Sequence, residues 1–216
     1  MHAVAEAMTG RPDSFPLPER RAQGSAAGAA QERVAWPPGD LAIWIFILAE
    51  LAVFAIFFAA YAFARMGELE LFVTYQQTLD TNLALINTLA LITSSYFVVR
   101  AVGRIRADDA GGCIRWLAGA LLLGGVFLGV KSLEYAHLFG EGVSLSTNTF
   151  YTFYLSLTFF HFMHVVMGMV ILAAVAVKAA QGHYSREVHT GVETGASYWH
   201  MVDLVWLILF PLVYVM

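Results

Sequence analysis

Five stretches of this chain are long and apolar enough to cross a lipid bilayer, and that constrains the fold more than anything else in it. Hydrocarbon offers no water to pair a backbone N–H or C=O, so a crossing segment must be a helix or part of a closed barrel. Residues 41–64, 80–99, 116–139, 149–177 and 197–216 are predominantly apolar. Each reaches the roughly 20 residues that a helix needs to cross ~30 Å of hydrocarbon. The spacing predicts an all-α integral membrane protein, a five-transmembrane-helix bundle. The separators (GELE, RADDAGG, FGEGVS and QGHYSREVHTGVETG) are short and polar, so residues 40–216 form one transmembrane domain without a soluble one.

Composition agrees. Hydrophobic residues make up 59% of the 216 and charged residues only 13%, with a mean hydropathy of +0.66. A soluble domain carries about 25% charged residues. The net charge of −4 is spread over loops, and no basic cluster suits nucleic acid. The single cysteine, Cys113, excludes an intramolecular disulfide framework and a cysteine-based zinc site. Residues 1–39, rich in Ala, Gly, Pro and Arg, lack the apolar run of a signal peptide and read as a disordered cytoplasmic tail. Asp40, after Trp36-Pro37-Pro38-Gly39, stands where it can cap the first helix.

Orientation follows from the cations. Arg11, Arg20, Arg21, Arg33, Arg100, Arg104, Arg106, Arg115, Lys178 and Arg186 fall on one side, Arg65 on the other, and Lys131 within a span. The N terminus is therefore expected in the cytoplasm and the C terminus in the periplasm. In the second span, Thr81, Thr88 and Ser95 repeat every seven residues, as do Asp80, Asn87 and Ser94. In lipid such a stripe turns toward neighbouring helices. Ala120-x-x-x-Gly124 and Gly125-x-x-x-Gly129 in the third span are close-approach signals of the same kind.

Few ionisable groups lie within the spans, and each costs enough there to need a partner. Glu50 sits nine residues into the first span, within FILAELAVFAIFF, and His161 and His164 lie at a similar depth in the fourth. A buried acid–histidine cluster of Glu50, His161 and His164 is expected to lock these two helices. The same residues also permit a proton relay or a metal site, but too few further ligands stand at that depth for metal. Lys131 and Glu134, three apart, are expected to form an intramembrane ion pair. In SYWHMVDLVW, Trp199, His200, Asp203 and Trp206 are expected at the interface, contacting lipid or another subunit. Pro211 removes a backbone donor and should kink the end of that helix. No residue is assigned a catalytic or metal-binding role.

The ordered set AELAVFAIFFAAY, Asn87-Thr88, SLEY, FHFMHVVMG and YWHMVDLVW, from Gly39 to the C terminus, resembles subunit III of the haem–copper oxidases. The resemblance implies a non-catalytic accessory subunit of a respiratory complex in the bacterial inner membrane. It implies that no haem or copper is held by this chain, that both sit on partner subunits, and that phospholipid binds between the helices. Oxidoreductase activity would belong to the assembly. Glu50 matches the family carboxylate that reacts with dicyclohexylcarbodiimide. His161, His164 and His200 match the motif histidines, and Glu134 and Asp203 the motif acids. Many members carry two further N-terminal helices. The five-span form resembles short bacterial subunits, including those of quinol oxidases, and the PGDLAIWIFILAEL start looks most like the type associated with nitric oxide reductase. Partners implied are an oxidase or nitric oxide reductase catalytic subunit and membrane lipid. Two other readings stay open on the residues alone: an independent proton channel or transporter, and an intramembrane enzyme.

Overall fold

A computed structural model describes residues 40–216; the expected N-terminal tail lies outside the described residues. The described chain runs α1 (Leu41–Gly67), α2 (Leu69–Gln76), α3 (Thr81–Arg106), α4 (Ala110–Gly140), α5 (Thr149–Ala180) and α6 (Thr190–Phe210). It closes in a π-helical turn, Pro211–Val215. Five of these helices are long and apolar enough to span a membrane, with α6 continuing through the turn.

Short polar residues set the starts. Asp80 accepts from Leu83 N at 3.0 Å, Asp109 from Gly112 N at 2.7 Å and Asn148 from Tyr151 N at 2.9 Å. Asp40 accepts from Ala42 N at 3.4 Å. Each satisfies a donor that the first helical turn leaves unpaired. Two helices stop at glycines in the left-handed region, Gly142 after α4 (φ 82°) and Gly182 after α5 (φ 75°). The amides that follow reach back to Leu138 O at 3.0 Å and Lys178 O at 3.1 Å, which closes both ends.

Four helices form a ring in which α3 packs on α4 and α6, α4 on α5, and α5 on α6. Helix α1 lies outside the ring, against α5 and α6. Burial follows this order: 56% of the most apolar window of the α6 span is buried, against 11% for α1. The polar stripe of α3 turns inward. Asn87, Thr88, Ser94 and Ser95 are all buried, with Ser94 Oγ donating to Ala120 O at 2.8 Å and Asn87 Nδ2 to Phe127 O at 3.3 Å across the α3–α4 seam.

The two small-residue pairs of α4 part company. Ala120 is fully buried and Gly124 faces Trp199 and Met169, whereas Gly125 and Gly129 are exposed with open space beside them. One 3.6-residue turn cannot put both pairs on the same seam. Helix α2 occupies a stretch that reads as a connection. Its Phe72 is buried between Tyr61, 5.3 Å away, and Phe150, 5.6 Å away, which anchors the helix across the end of the bundle.

Candidate functional site

Glu50 and His164 meet between α1 and α5. Glu50 Oε2 lies 3.0 Å from His164 Nε2, and His164 Nδ1 is 2.8 Å from Phe160 O. A carbonyl only accepts, so Nδ1 carries a proton and donates to Phe160 O. Nε2 and the carboxylate then share one further proton, on the ring or on the acid. Phe160 and Phe54 stand edge-on to the imidazole at 4.6 and 5.2 Å and shield the pair. The side chains remain 21% and 11% exposed, because α1 covers the seam from one side only.

His161 does not join this pair. It is fully buried on another face of α5, stacked on Trp206 at 5.1 Å and edge-on to Phe127 at 5.8 Å. Neither of its ring nitrogens has a hydrogen-bond partner. The expected three-residue cluster is therefore a two-residue one. The reason is rotational: three residues along a helix turn about 300°, which leaves His161 facing the ring's interior while His164 faces α1.

Lys131 and Glu134 pair on α4 at 3.1 Å, with Lys131 only 1% exposed. Two tyrosines complete the arrangement. Lys131 Nζ donates to Tyr214 OH at 2.7 Å and Tyr154 OH at 3.3 Å, and both hydroxyls donate to Glu134 Oε1. Each phenol bridges ammonium to carboxylate, so the pair is hydrogen-bonded on all sides. The rings of Tyr135, Tyr154, Trp206 and Tyr214 surround Nζ at 5.2–5.6 Å, within cation–π range. Tyr214 reaches this position through the π turn. Without an amide proton at Pro211 the chain widens there, and Met216 N bonds Pro211 O at 2.9 Å.

The SYWHMVDLVW segment departs from expectation. Trp199 and Trp206 are wholly buried, Tyr198 is 1% exposed and Asp203 9%, so these residues are core and not interface. Helix α6 begins at Thr190, about two turns before residue 197. That moves the motif from the bilayer edge to the interior of the ring. Trp206 Nε1 donates to Thr88 Oγ1 at 2.8 Å. His200 Nδ1 lies 2.6 Å from Ser95 Oγ and makes no pair with Asp203, whose Oδ1 is unpartnered.

Sequence reading missed Tyr154, Tyr214 and the Arg106–Glu193 ion pair, 2.6 Å long, that ties the end of α3 to the start of α6. Glu193 in the first turn of α6 was the available signal, since an acid there complements the helix dipole. His137 is an exposed residue paired with Glu141 at 3.4 Å. Among the described residues no group of three or more His, Cys, Asp or Glu converges as metal ligands would. Ser156 lines an apolar cavity of about 610 Å³ between α4 and α5, together with Tyr135, Phe139, Leu145, Leu155 and Phe159.

Comparison with known proteins gives a consistent result. The family described as "Cytochrome c oxidase subunit III" matches residues 24–216. The chain is similar to "Cytochrome c oxidase subunit 3" of Synechocystis sp., with 36% identity over 173 residues, 80% of this chain and 73% of that protein. It is similar to "Quinol oxidase subunit 3" of Bacillus subtilis, with 30% identity over 176 residues, 82% of this chain and 86% of that one. It also matches "Heme-copper oxidase subunit I+III" of Aeropyrum pernix, with 31% identity over 189 residues, 83% of this chain but 23% of that longer protein.

Proposed function

Because this chain belongs to the cytochrome c oxidase subunit III family, an accessory and non-catalytic class of haem–copper oxidase subunit, we propose that it acts by covering and steadying a catalytic subunit along α1. The observation that carries this is the setting of Glu50. It lies on the helix least buried by its own chain and keeps a fifth of its side chain exposed, one helical turn from the exposed Phe46 and Val53 on the same side of α1. A carboxyl facing lipid at that depth is costly, so a protein surface over the seam is the favourable arrangement. The Glu50–His164 pair then tunes the proton environment at that contact, with one mobile proton held between two groups.

The relatives named above are oxidase subunits, and the Aeropyrum pernix protein bears the names of subunits I and III together. That supports an oxidase partner carrying the haem and copper. Partnership with a nitric oxide reductase rests on the PGDLAIWIFILAEL start alone. On this reading the arginine-rich end faces the cytoplasm of a bacterial inner membrane, which the distribution of Lys and Arg along the chain supports. Phospholipid is expected as its ligand, in keeping with the apolar cavity between α4 and α5.

Gentle solubilisation of native membranes followed by affinity purification of this chain tests the reading. Haem-containing oxidase subunits should co-migrate with it, and the isolated chain should show no haem absorption. Stoichiometric haem or copper on the chain alone would refute the proposal, and so would migration free of any haem protein.

A further inference from the structure

At the arginine-rich end of the bundle, α3 finishes and α4 starts around a second cavity, of about 400 Å³, lined by Phe97, Arg104, Arg115 and Trp116. Its floor is aromatic. The Phe97 and Trp116 rings meet edge to face at 5.0 Å, with Gly119 leaving room for Phe97 against α4. Beside them the Arg100 guanidinium lies over Trp116 at 5.1 Å and donates to Tyr96 OH at 2.8 Å. Aromatic rings of this kind sit where hydrocarbon gives way to headgroups.

The cations above that floor are not neutralised alike. Arg106 is committed to Glu193. Arg104 touches Asp109 only at 3.5 Å, and the other oxygen of Asp109 is held by Gly112 N. Arg115 has no ion-pair partner among the described residues. Toward the bilayer, apolar side chains continue in helical register. Leu122 and Val126 follow Arg115 by two and three turns on α4, and Ile86 precedes Arg104 by about five turns on α3; all three are exposed.

From this we infer a binding site for an anionic phospholipid, its phosphate held by Arg104 and Arg115 and its acyl chains laid along the α3–α4 face. Guanidinium groups match phosphate in a planar, two-bond geometry. No carboxylate lines the cavity to hold the ammonium of a zwitterionic headgroup, which selects a net negative lipid. The site lies at the opposite end of α4 from the apolar cavity, and it depends on membrane embedding but not on which oxidase the chain joins.

The test is quenching of tryptophan fluorescence by brominated lipid, with the full chain reconstituted in phosphatidylcholine vesicles. Trp116 is the reporter in a full chain that carries W36F and W44F, since Trp199 and Trp206 are shut inside the ring whereas Trp44 is only partly buried on α1. Brominated phosphatidylglycerol should quench at about one-tenth the mole fraction that brominated phosphatidylcholine requires, as basic residues near a surface favour anionic lipid. R104Q/R115Q should lose that tenfold preference, R104K/R115K should retain most of it, and W116F should remove the quenched component. Equal quenching by the two lipids in the W36F/W44F chain would overturn the site, as would a preference that survives when R104Q/R115Q is added to it. Relief of quenching by millimolar inorganic phosphate would instead mark a site for free anions. Loss of a co-purifying subunit from R104Q/R115Q with the lipid preference intact would mark a protein contact. Haem co-purification of the wild-type chain, measured separately, distinguishes failure of this site from failure of the oxidase reading.

Discussion

Removing Glu134 should be among the most damaging single changes available to this protein. Its partner Lys131 is 1% exposed and its nearest opposite charge is 3.1 Å away. At an effective dielectric of about 20, that separation corresponds to roughly 5 kcal/mol of attraction. Breaking a buried pair by deleting one partner costs about 3–5 kcal/mol, because the remaining charge stays in a place that cannot solvate it. Glu134→Ala also removes the oxygen to which the Tyr154 and Tyr214 hydroxyls both donate. For a domain of this size the loss corresponds to a fall in Tm of roughly 10 °C. Replacing both ions, as in K131M/E134L, should cost less than Glu134→Ala, since no unpaired charge is left. A fluorescence-detected melt of the full chain in detergent, run as a double-mutant cycle, measures this coupling. If Glu134→Ala lowers Tm by less than about 2 °C, or K131M/E134L melts below both single variants, the buried-pair argument fails.

Three smaller predictions use the same melt. Glu50→Gln keeps a donor for His164 Nε2 and should cost under about 1 kcal/mol, whereas Glu50→Ala leaves that nitrogen unpaired and should cost about 1–3 kcal/mol; equal losses would count against the hydrogen bond. His161→Phe fills the same space between Trp206 and Phe127 without two unpaired nitrogens, so it should be neutral or stabilising by about 1 kcal/mol. A loss above about 2 kcal/mol would mean that His161 has a partner. Gly168→Ala drives a methyl into the Trp199 ring and should cost about 1–3 kcal/mol. Gly125→Ala meets open space and should gain about 0.5–1 kcal/mol from helix propensity; the same sign at both glycines would refute the packing of α6 on α5.

The sequence by itself determined the five crossing helices, because transfer of an apolar segment into lipid is a one-dimensional quantity that sums along the chain. It also marked which polar residues needed partners: Lys131 and Glu134 share one helix, so their contact follows from a spacing of three. Glu50 was legible as a residue level with two histidines, since depth is counted in 1.5 Å steps. Which histidine meets it depends on how α5 is rotated about its own axis. That rotation is set by every side chain packed between α4, α1 and α6, and it turns His164 to the acid and His161 to Trp206. Similarly, aromatic and polar residues near the start of the last span read as interfacial until α6 is seen to begin at Thr190, which slides them into the core. Tyr214 joins Lys131 only because the chain widens at Pro211. Partition into the membrane is local to each segment. The rotation and axial position of each helix are collective, and they decided the contacts that the site is built from.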